Sequence, residues 1–276
     1  MPEEKKTVSQ VMGILNVTPD SFSDGGHFFS RDSALNHARK MIEEGADIID
    51  IGGESTRPSA QPVSAQEELD RVIPVVEKIR AECPIKISVD TTKSQVMHEA
   101  IAAGVDMIND IMALRGEGCL ATVAADDKVQ ICLMHMQGEP RIMQNNPYYD
   151  DVVGEIKAFL LKRVQTCLEA GISSNRLLID PGFGFGKSVA HNLLLMKNLQ
   201  VFVDLGYPVL VGVSRKSLIG KILNKPITER KYGSLALAVL AVSKGAAVIR
   251  THEVAATVDA LKMTNAVNGK YNGSLG

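Results

Sequence analysis

The feature that most constrains the fold is an alternation of short apolar runs and longer amphipathic runs along the 276 residues. The apolar runs are rich in Ile, Val and Leu and lack the polar alternation of a half-exposed strand. They indicate strands that are covered on both faces, as in a parallel sheet. Eight strands are predicted, over residues 11–17, 47–52, 85–90, 107–111, 129–135, 177–180, 208–214 and 247–251.

The amphipathic runs between these strands predict helices. The clearest cover residues 34–44, 65–82, 94–103, 152–170 and 189–205. Several runs end in a glycine just before the next strand, where glycine supplies the left-handed position after a helix. These glycines are Gly45, Gly104, Gly171, Gly206 and Gly245. Polar residues before three of the helices, Ser33, Ser64 and Thr92, are expected to be N-caps.

Eight strand–helix units over about 260 residues match a TIM barrel in number and size. We therefore predict an α/β chain that folds as a single (β/α)8 barrel over residues 11–270, after a short tail of residues 1–10. A doubly wound open sheet is the alternative.

Polar residues follow the end of every predicted strand. In strand order they are Asn16; Glu54, Ser55, Thr56, Arg57 and Pro58; Asp90; Asn109 and Asp110; His135; Asp180; Ser214, Arg215, Lys216 and Ser217; and Arg250, Thr251 and His252. A single polar residue at a strand end is explained as well by a helix cap or an ordinary loop as by a functional role. Neither explains polar residues at all eight strand ends. Because the strand ends of a barrel converge, we expect one pocket.

The residue types in this pocket indicate its ligand. Asp90 and Asp180 only accept hydrogen bonds when ionised, and Asn109 both donates and accepts, so the set suits a flat heterocycle with several N–H donors. The cations suit a diphosphate or another polyanion. We expect the carboxylates on one side and the cations on the other, the latter being Arg57, Arg215, Lys216, Arg250 and His252.

Two further segments bear on the pocket. The stretch from Pro181 to Ser188 has the wrong spacing for a Walker A loop, and we interpret it as a glycine-rich loop that lets a ligand approach the backbone, with Phe183 or Phe185 available to stack. The loop after the first strand carries Asn16, Asp20 and Asp24, and oxygen ligands at this density suit Mg²⁺ and an accompanying phosphate. His135 is interpreted as a structural residue rather than a ligand.

The bulk composition limits the class of protein. A net charge of −2 and a pI of about 6.3 argue against a general nucleic-acid binder. The longest apolar run is too short to span a bilayer, and the polar N-terminus does not resemble a secretory signal. The four cysteines form no C-x-x-C pair. We expect a cytoplasmic protein without nucleic-acid or membrane partners.

The strand-end motifs, in their order and spacing, resemble those of the dihydropteroate synthase family from residue 11 to about 253. They are MGILNVTPDSFSDGG, IDIGGESTRP, ISVDT, INDI, CLMHMQG, LLIDPGFGFGK, VGVSRKS and IRTH. The resemblance implies a transferase of folate biosynthesis and a sulfonamide target. Its members condense 6-hydroxymethyl-7,8-dihydropterin diphosphate with p-aminobenzoate, and they give 7,8-dihydropteroate and pyrophosphate with Mg²⁺ as the cofactor.

The resemblance also implies roles for individual residues. It makes Asp90, Asp180, Lys216 and Arg250 catalytic. It places the pterin against Asp90, Asn109, Ile111, Met134, Asp180, Gly184, Phe185, Lys216 and Arg250. It places the diphosphate on Asn16, Arg250 and His252, and Mg²⁺ on Asn16 and Asp24. It places p-aminobenzoate against Phe22, Thr56, Arg57, Pro58, Phe185, Lys216 and Ser217.

The reaction is expected to begin with departure of the diphosphate, because an aryl amine is a weak nucleophile and the pterin can stabilise a cation. One alternative is a pterin-binding methyltransferase domain, which would not need the cationic strand ends. Another is a non-catalytic pterin-binding barrel. The apolar run 233–242 suggests a helix buried between the subunits of a homodimer.

Overall fold

The structure, a computed structural model, describes residues 8–18, 27–55, 62–138, 143–144 and 146–269. Its centre is a sheet of eight strands. They are β1 (Gln10–Asn16), β2 (Ile48–Gly52), β3 (Lys86–Asp90), β4 (Met107–Asp110), β5 (Gln130–Met134), β6 (Leu177–Asp180), β7 (Leu210–Val211) and β8 (Val248–Thr251).

The sheet is parallel and closes into a barrel. Neighbouring strands pair in the order β6-β5-β4-β3-β2-β1-β8-β7. The seam between β6 and β7 is closed by a parallel bridge between Ile179 and Val209, where the Ile179 N–H donates to the carbonyl oxygen of Pro208 at 3.0 Å. The predicted TIM barrel is thereby confirmed, and the doubly wound open sheet is wrong.

Helices cover the outside of the barrel. They are α1 (His27–Glu43), α2 (Ala65–Glu82), α3 (Ser94–Ala102), α4 (Cys119–Ala124), α5 (Val152–Glu169), α6 (Val189–Lys197), α7 (Gln200–Val203), α8 (Ser217–Leu223), α9 (Lys231–Ser243) and α10 (Val254–Val267). Among the described residues, none of these helices is both long and apolar enough to cross a membrane.

Most predicted bounds agree with these elements to within one or two residues, and three do not. Helix α1 begins at His27 rather than at residue 34. The predicted helix 189–205 is two helices, α6 and α7, which are separated by Asn198 and Leu199. Strand β7 has two residues instead of seven.

The expected helix ends are partly correct. The side chain of Ser64 caps α2 and accepts from the N–H of Glu67. Ser33 lies inside α1, and Lys93 rather than Thr92 occupies the N-cap position of α3. All five expected glycines have φ between 82° and 95°, the left-handed conformation predicted for them.

Two apolar layers hold the barrel. The larger fills the space between the strands and the surrounding helices. The smaller plugs the barrel interior with one residue from each of seven strands, namely Met12, Ile48, Met107, Cys132, Leu178, Leu210 and Val248. We call this interior layer the apolar floor, and the polar strand ends lie directly above it.

Candidate functional site

The polar site follows from the two-residue period of the strands. Side chains of one parity point into a barrel, so the residue two positions beyond each floor residue also faces the interior. These residues are Ile14, Asp50, Asn109, Met134, Asp180, Gly212 and Arg250, and Asp90 has the same parity on β3. Four charged side chains and one amide therefore share the level above the apolar floor.

Arg250 is at the centre of this level. Its Nε donates to Oδ2 of Asp50 at 2.5 Å, and its Nη2 donates to Oδ2 of Asp90 at 2.9 Å. The Nδ2 of Asn109 donates to the same Asp50 oxygen at 3.2 Å. Burial alone would lower the pKa of Arg250, but the carboxylates of Asp50 and Asp90 raise it above its ordinary value. Arg250 is therefore a permanent cation between two carboxylates.

This arrangement corrects the expected separation of charges. The cations do not lie opposite the carboxylates, because Arg250 sits between two of them. Arg215 pairs instead with Glu253, whose Oε1 accepts from the Arg215 Nε at 2.6 Å. Asp110 faces away from the interior, and it accepts from the N–H groups of Met112 and Leu114, each at 2.7 Å.

Two of the carboxylates inside the barrel, Asp90 and Asp180, hold protons more tightly than ordinary aspartates do. Burial raises the pKa of Asp180 to about 6, against the opposing effect of a hydrogen bond from the Gly182 N–H at 2.7 Å. Burial is also the main reason that the pKa of Asp90 is raised, although Arg250 opposes it. Both groups therefore change charge closer to neutrality than at their ordinary pKa.

Lys216 and Phe185 form one wall of the site. The Lys216 Nζ lies 4.0 Å from the centre of the Phe185 ring, a distance at which a cation is attracted to a ring face. Burial, followed by the charge of Arg250, lowers the pKa of Lys216 to about 8. A Cβ atom at Gly184 would approach Lys216 Cδ to 3.0 Å. The absence of a side chain at Gly184 therefore leaves room for the Lys216 side chain to pass close to the loop.

A buried lysine holds the glycine-rich loop after β6. The Nζ of Lys187 donates to the carbonyl oxygens of Gly182 and Phe185, both at 2.8 Å, and lies 3.0 Å from Nδ1 of His135. A Cβ at Gly182 would lie 1.9 Å from the His135 carbonyl oxygen, so the loop can pass β5 only at a glycine. Burial, with the charge of Lys187, lowers the pKa of His135 to about 3, so this histidine is neutral and structural, as interpreted.

An apolar patch completes the pocket wall. Ile111, Met134, Met136 and Met143 form one buried cluster, and Phe185 packs against it. Phe183 is wrong as a stacking candidate, because it is 2% exposed and belongs to the outer core. Flat apolar area beside inward carboxylates is what an aromatic heterocycle requires.

The opposite side of the barrel mouth carries Asn16 and His252. Asn16 pairs with Gly52 in register, and a Cβ at Gly52 would lie 3.7 Å from both Asn16 Oδ1 and Asp90 Cβ. The glycine therefore leaves space between the amide and the carboxylate. The Nδ1 of His252 lies 2.9 Å from Ser214 Oγ, which also donates to Glu253 at 3.0 Å.

Several predicted site residues lie outside the described part of the chain. They are Asp20, Phe22, Asp24, Thr56, Arg57 and Pro58. Ser217, the remaining residue of the expected p-aminobenzoate set, is the exposed first residue of α8. Beside the second loop, Glu54 and the buried Glu68 both pair with Lys93, and Glu54 Oε1 also accepts from the Val63 N–H at 3.3 Å.

The sequence reasoning did not identify Asp50 or Lys187 as site residues. Asp50 is a charged residue inside the otherwise apolar run Ile48–Gly52, and it has the inward parity of Asp90, Asp180 and Arg250. That parity was a usable signal for Asp50. Lys187 stands in the glycine-rich motif, but its burial depends on how the loop packs against β5, which no local pattern encodes.

The comparisons with known proteins identify the family. The family described as pterin binding enzyme matches residues 12–252. The dihydropteroate synthase of Haemophilus influenzae is 57% identical over 260 residues, which cover 94% of each chain. The solved structure of the Yersinia pestis dihydropteroate synthase with a sulfonamide drug complex has a TM-score of 0.91 and 50% identity, with 95% of each chain covered.

A third comparison concerns the dihydropteroate synthase of Xanthomonas albilineans, solved in complex with 7,8-dihydropteroate. Its TM-score is 0.86 at 48% identity, with 95% of this chain and 94% of that chain covered. The similarity in sequence and in structure therefore extends over nearly the whole barrel, including every strand that contributes to the polar site. This TIM-barrel transferase of folate biosynthesis thus belongs to the dihydropteroate synthase family.

Proposed function

We propose that the polar level above the barrel floor carries the family's reaction, and that the reaction begins with loss of the diphosphate. The chain condenses 6-hydroxymethyl-7,8-dihydropterin diphosphate with p-aminobenzoate, which gives 7,8-dihydropteroate and pyrophosphate. The bond between the methylene carbon and oxygen breaks, and pyrophosphate leaves with the electron pair. The amine lone pair then attacks the methylene carbon, and the nitrogen loses a proton.

The pterin is proposed to lie against the inward carboxylates. Asp90, Asn109 and Asp180 offer acceptors to the ring N–H and NH₂ donors, while Met134, Ile111 and Phe185 cover apolar ring area. The Arg250 guanidinium is proposed to stack on the pterin, because its hydrogen bonds to Asp50 and Asp90 use donors in its plane and not its faces. Gly184 and Lys216 complete this pterin site.

The same carboxylates are placed to stabilise the transition state. As the diphosphate leaves, positive charge develops on the pterin, and fixed negative groups in a water-poor interior stabilise it strongly. Asp90 and Asp180 supply that charge once they are ionised. No general base of high pKa is needed for this step.

The diphosphate is proposed to face Asn16, Arg250 and His252. Among the described residues, no group of three or more His, Cys, Asp or Glu side chains forms a metal site. Mg²⁺ usually takes only one or two protein oxygens together with substrate phosphates, so the Asn16 amide oxygen beside the space at Gly52 fits such an ion. Asn16 and Asp24 would hold Mg²⁺, which would neutralise charge on the leaving group.

The p-aminobenzoate is proposed to bind beside Phe185, Lys216 and Ser217, with Phe22, Thr56, Arg57 and Pro58 from the first two loops. Lys216 is the described cation of this set and can pair with the carboxylate of the substrate. Its place next to the Phe185 ring joins the two substrate sites at one wall.

The observation that carries this function is the convergence of Asp50, Asp90, Asn109 and Arg250 in one hydrogen-bonded group above an apolar floor. The order of bond breaking is tested with pterin diphosphate labelled with ¹⁸O in the bridging position, incubated with enzyme and Mg²⁺ but no amine. Reversible departure of the diphosphate moves label into non-bridging positions. Full turnover with the amine but no scrambling without it would instead favour direct displacement.

We propose one catalytic domain over residues 11–270, preceded by a tail of residues 1–10. The four cysteines are free, which suits the reducing cytoplasm that we propose as the location. We also propose a homodimer, because Tyr232 and Leu240 are exposed on α9, and Met263 is exposed on the adjacent α10.

A further inference from the structure

Asp50 is a buried carboxylate that packing alone does not explain. It is 0% exposed and lies between apolar residues of β2. Removing a carboxylate from water costs several kcal/mol, which a partner offsets only when the geometry is good. Its Oδ2 has two donors, but its Oδ1 has no hydrogen-bond partner in the described part of the chain. Local rules broken in this way are expected at functional positions.

The two carboxylates that hold Arg250 differ in access. Asp50 is completely buried below the guanidinium, whereas the Asp90 side chain is 14% exposed. A ligand that enters from the strand ends can therefore reach Asp90 but not the Asp50 oxygen that binds Arg250. The bond between Arg250 Nη2 and Asp90 Oδ2 occupies one of the acceptor positions that a ligand donor could use, and it neutralises charge on that carboxylate.

From this geometry we infer that Asp50 is a positioning residue for the pterin site. Its carboxylate holds Arg250 through Nε, so that Asp90 can exchange its bond to Arg250 for a bond to the ligand while the guanidinium stays in place. Asp50 itself does not touch the ligand. The inference rests on the proposed function, because it assumes that the pterin binds at Asp90.

The charges around Asp90 make the inference measurable. Apart from burial, its pKa is lowered by Arg250 on β8 and raised by Asp50 on β2, Glu68 on α2 and Asp110 on β4. An Asp50→Asn variant loses one of the groups that raise this pKa, and it leaves Asp90 as the charged partner of Arg250. Both effects lower the pKa of Asp90. In this variant Arg250 is expected to remain on Asp90 and to block it.

The test compares the binding of a non-reactive pterin analogue to the full chain by calorimetry. Asp50→Asn keeps the side-chain shape and removes the charge. Asp110→Asn is the control, because Asp110 is equally buried but faces outward onto backbone N–H groups. It also removes a charge that raises the pKa of Asp90, so it shows what that effect does while the contact with Arg250 stays in place. We expect Asp50→Asn to weaken binding at least tenfold at pH 7.5, and Asp110→Asn to change it by less than about threefold despite a lower melting temperature.

The pH profile separates positioning from a loss of structure. In Asp50→Asn, the acid limb of analogue binding should move to lower pH, because the pKa of Asp90 falls. A structural defect would weaken binding at every pH without moving the limb. Unchanged affinity, or weaker binding with an unmoved limb, would overturn the inference.

A second pair of variants decides the question if Asp50→Asn does not fold. Arg250→Met is compared with Asp50→Asn/Arg250→Met, in which neither buried charge remains. If Asp50 acts only through Arg250, the two bind the analogue within about threefold of each other. A further tenfold loss in the double variant would mean that Asp50 contacts the ligand directly. Failure of the wild-type chain to bind the analogue, or full affinity in Asp180→Asn, would instead reject the proposed pterin site.

Discussion

At the scale of single residues, the site depends on buried charges, with more carboxylates than cations. Asp50, Asp90 and Asp180 face Arg250 and Lys216 inside one barrel, and burial brings the titration of several of them toward neutrality. An aspartate that is ionised in water but resists ionisation when folded lowers stability as pH rises from about 4, its ordinary pKa, through the raised value. The stability that is lost at Asp90 and Asp180 is the expected consequence of holding acceptors for a ligand in a buried site.

Pterin binding should depend on pH between about 6 and 7. The ring donors need ionised acceptors, and burial raises the pKa of Asp180 to about 6 and that of Asp90 to about 7. Affinity for a pterin analogue should therefore rise between pH 5 and pH 7, and fall again above about pH 8 if the positive charge of Lys216 contributes. Calorimetry across this range, with an analogue that does not itself titrate there, measures both limbs. An acid limb near pH 4 would show that neither of these buried carboxylates is the acceptor.

Replacing Asp180 with Asn should weaken the pterin site without changing its shape. The substitution exchanges an acceptor oxygen for an NH₂ group that faces the donors of the ring. Loss of one charged hydrogen bond is worth about 1.5–3 kcal/mol, so affinity for the analogue should fall tenfold or more. The Gly182 N–H bond to the side chain can persist through the remaining oxygen, which favours a folded variant. Equal affinity of variant and wild type would place the pterin elsewhere.

At the scale of elements, the loop after β6 is the part that the fold constrains most tightly. Gly182 has φ of 73°, and any side chain there would collide with the carbonyl of His135. Lys187 connects this loop to His135, which follows β5, and also bonds to the loop's own carbonyl oxygen at Gly182. Asp180 and Phe185 are therefore held by the strand end on one side and by the buried side chain of Lys187 on the other.

Gly182→Ala should disrupt this loop, whereas Gly104→Ala should not disturb the site. Both glycines have a left-handed conformation, but a Cβ at Gly104 would meet nothing within 4 Å. Gly104→Ala should cost only the conformational term, about 1–2 kcal/mol, while Gly182→Ala adds a steric collision and should abolish analogue binding. Urea denaturation and calorimetry on both variants compare the effects. Normal binding by Gly182→Ala would contradict the role of the loop.

The sequence predicted these elements unevenly, for physical reasons. Strands with continuous apolar runs were predicted closely, and β6 was predicted to the residue. β7 was overestimated because its apolar run continues through Gly212 and Val213 after the ladder has ended at Val211. The same rule that assigned strand ends to the site missed Asp50, since it lies within the strand rather than after it. The pairing of Arg250 with two carboxylates requires the closed barrel, in which β8 lies beside β1.

At the scale of the whole molecule, the functional site lies at one end of the barrel, and helices cover the outside. The apolar floor separates the polar level from the opposite end of the barrel. On the outside, α9 buries Ser234, Ala238, Ala241 and Val242 and exposes Tyr232 and Leu240. One side of α9 is therefore covered by its own barrel. A second subunit is predicted to cover only the other side, which carries Tyr232 and Leu240.

A charge on the exposed side of α9 should separate a dimer. Leu240 is 49% exposed and can be changed to Lys without entering the core. Light scattering should give the mass of two chains for the wild type and of one chain, about 30 kDa, for Leu240→Lys. Lys244→Leu, near the end of the same helix, is a control for an altered surface charge. A wild-type mass of one chain would contradict the homodimer.

The most direct measurement follows product formation and pyrophosphate release in the same reaction. With pterin diphosphate, p-aminobenzoate and Mg²⁺, the wild-type chain should form 7,8-dihydropteroate and pyrophosphate in equal amounts. EDTA should stop the reaction, and Asp180→Asn should slow it at least tenfold. Release of pyrophosphate without incorporation of p-aminobenzoate would contradict the assigned condensation, and full turnover in EDTA would contradict the proposed role of Mg²⁺.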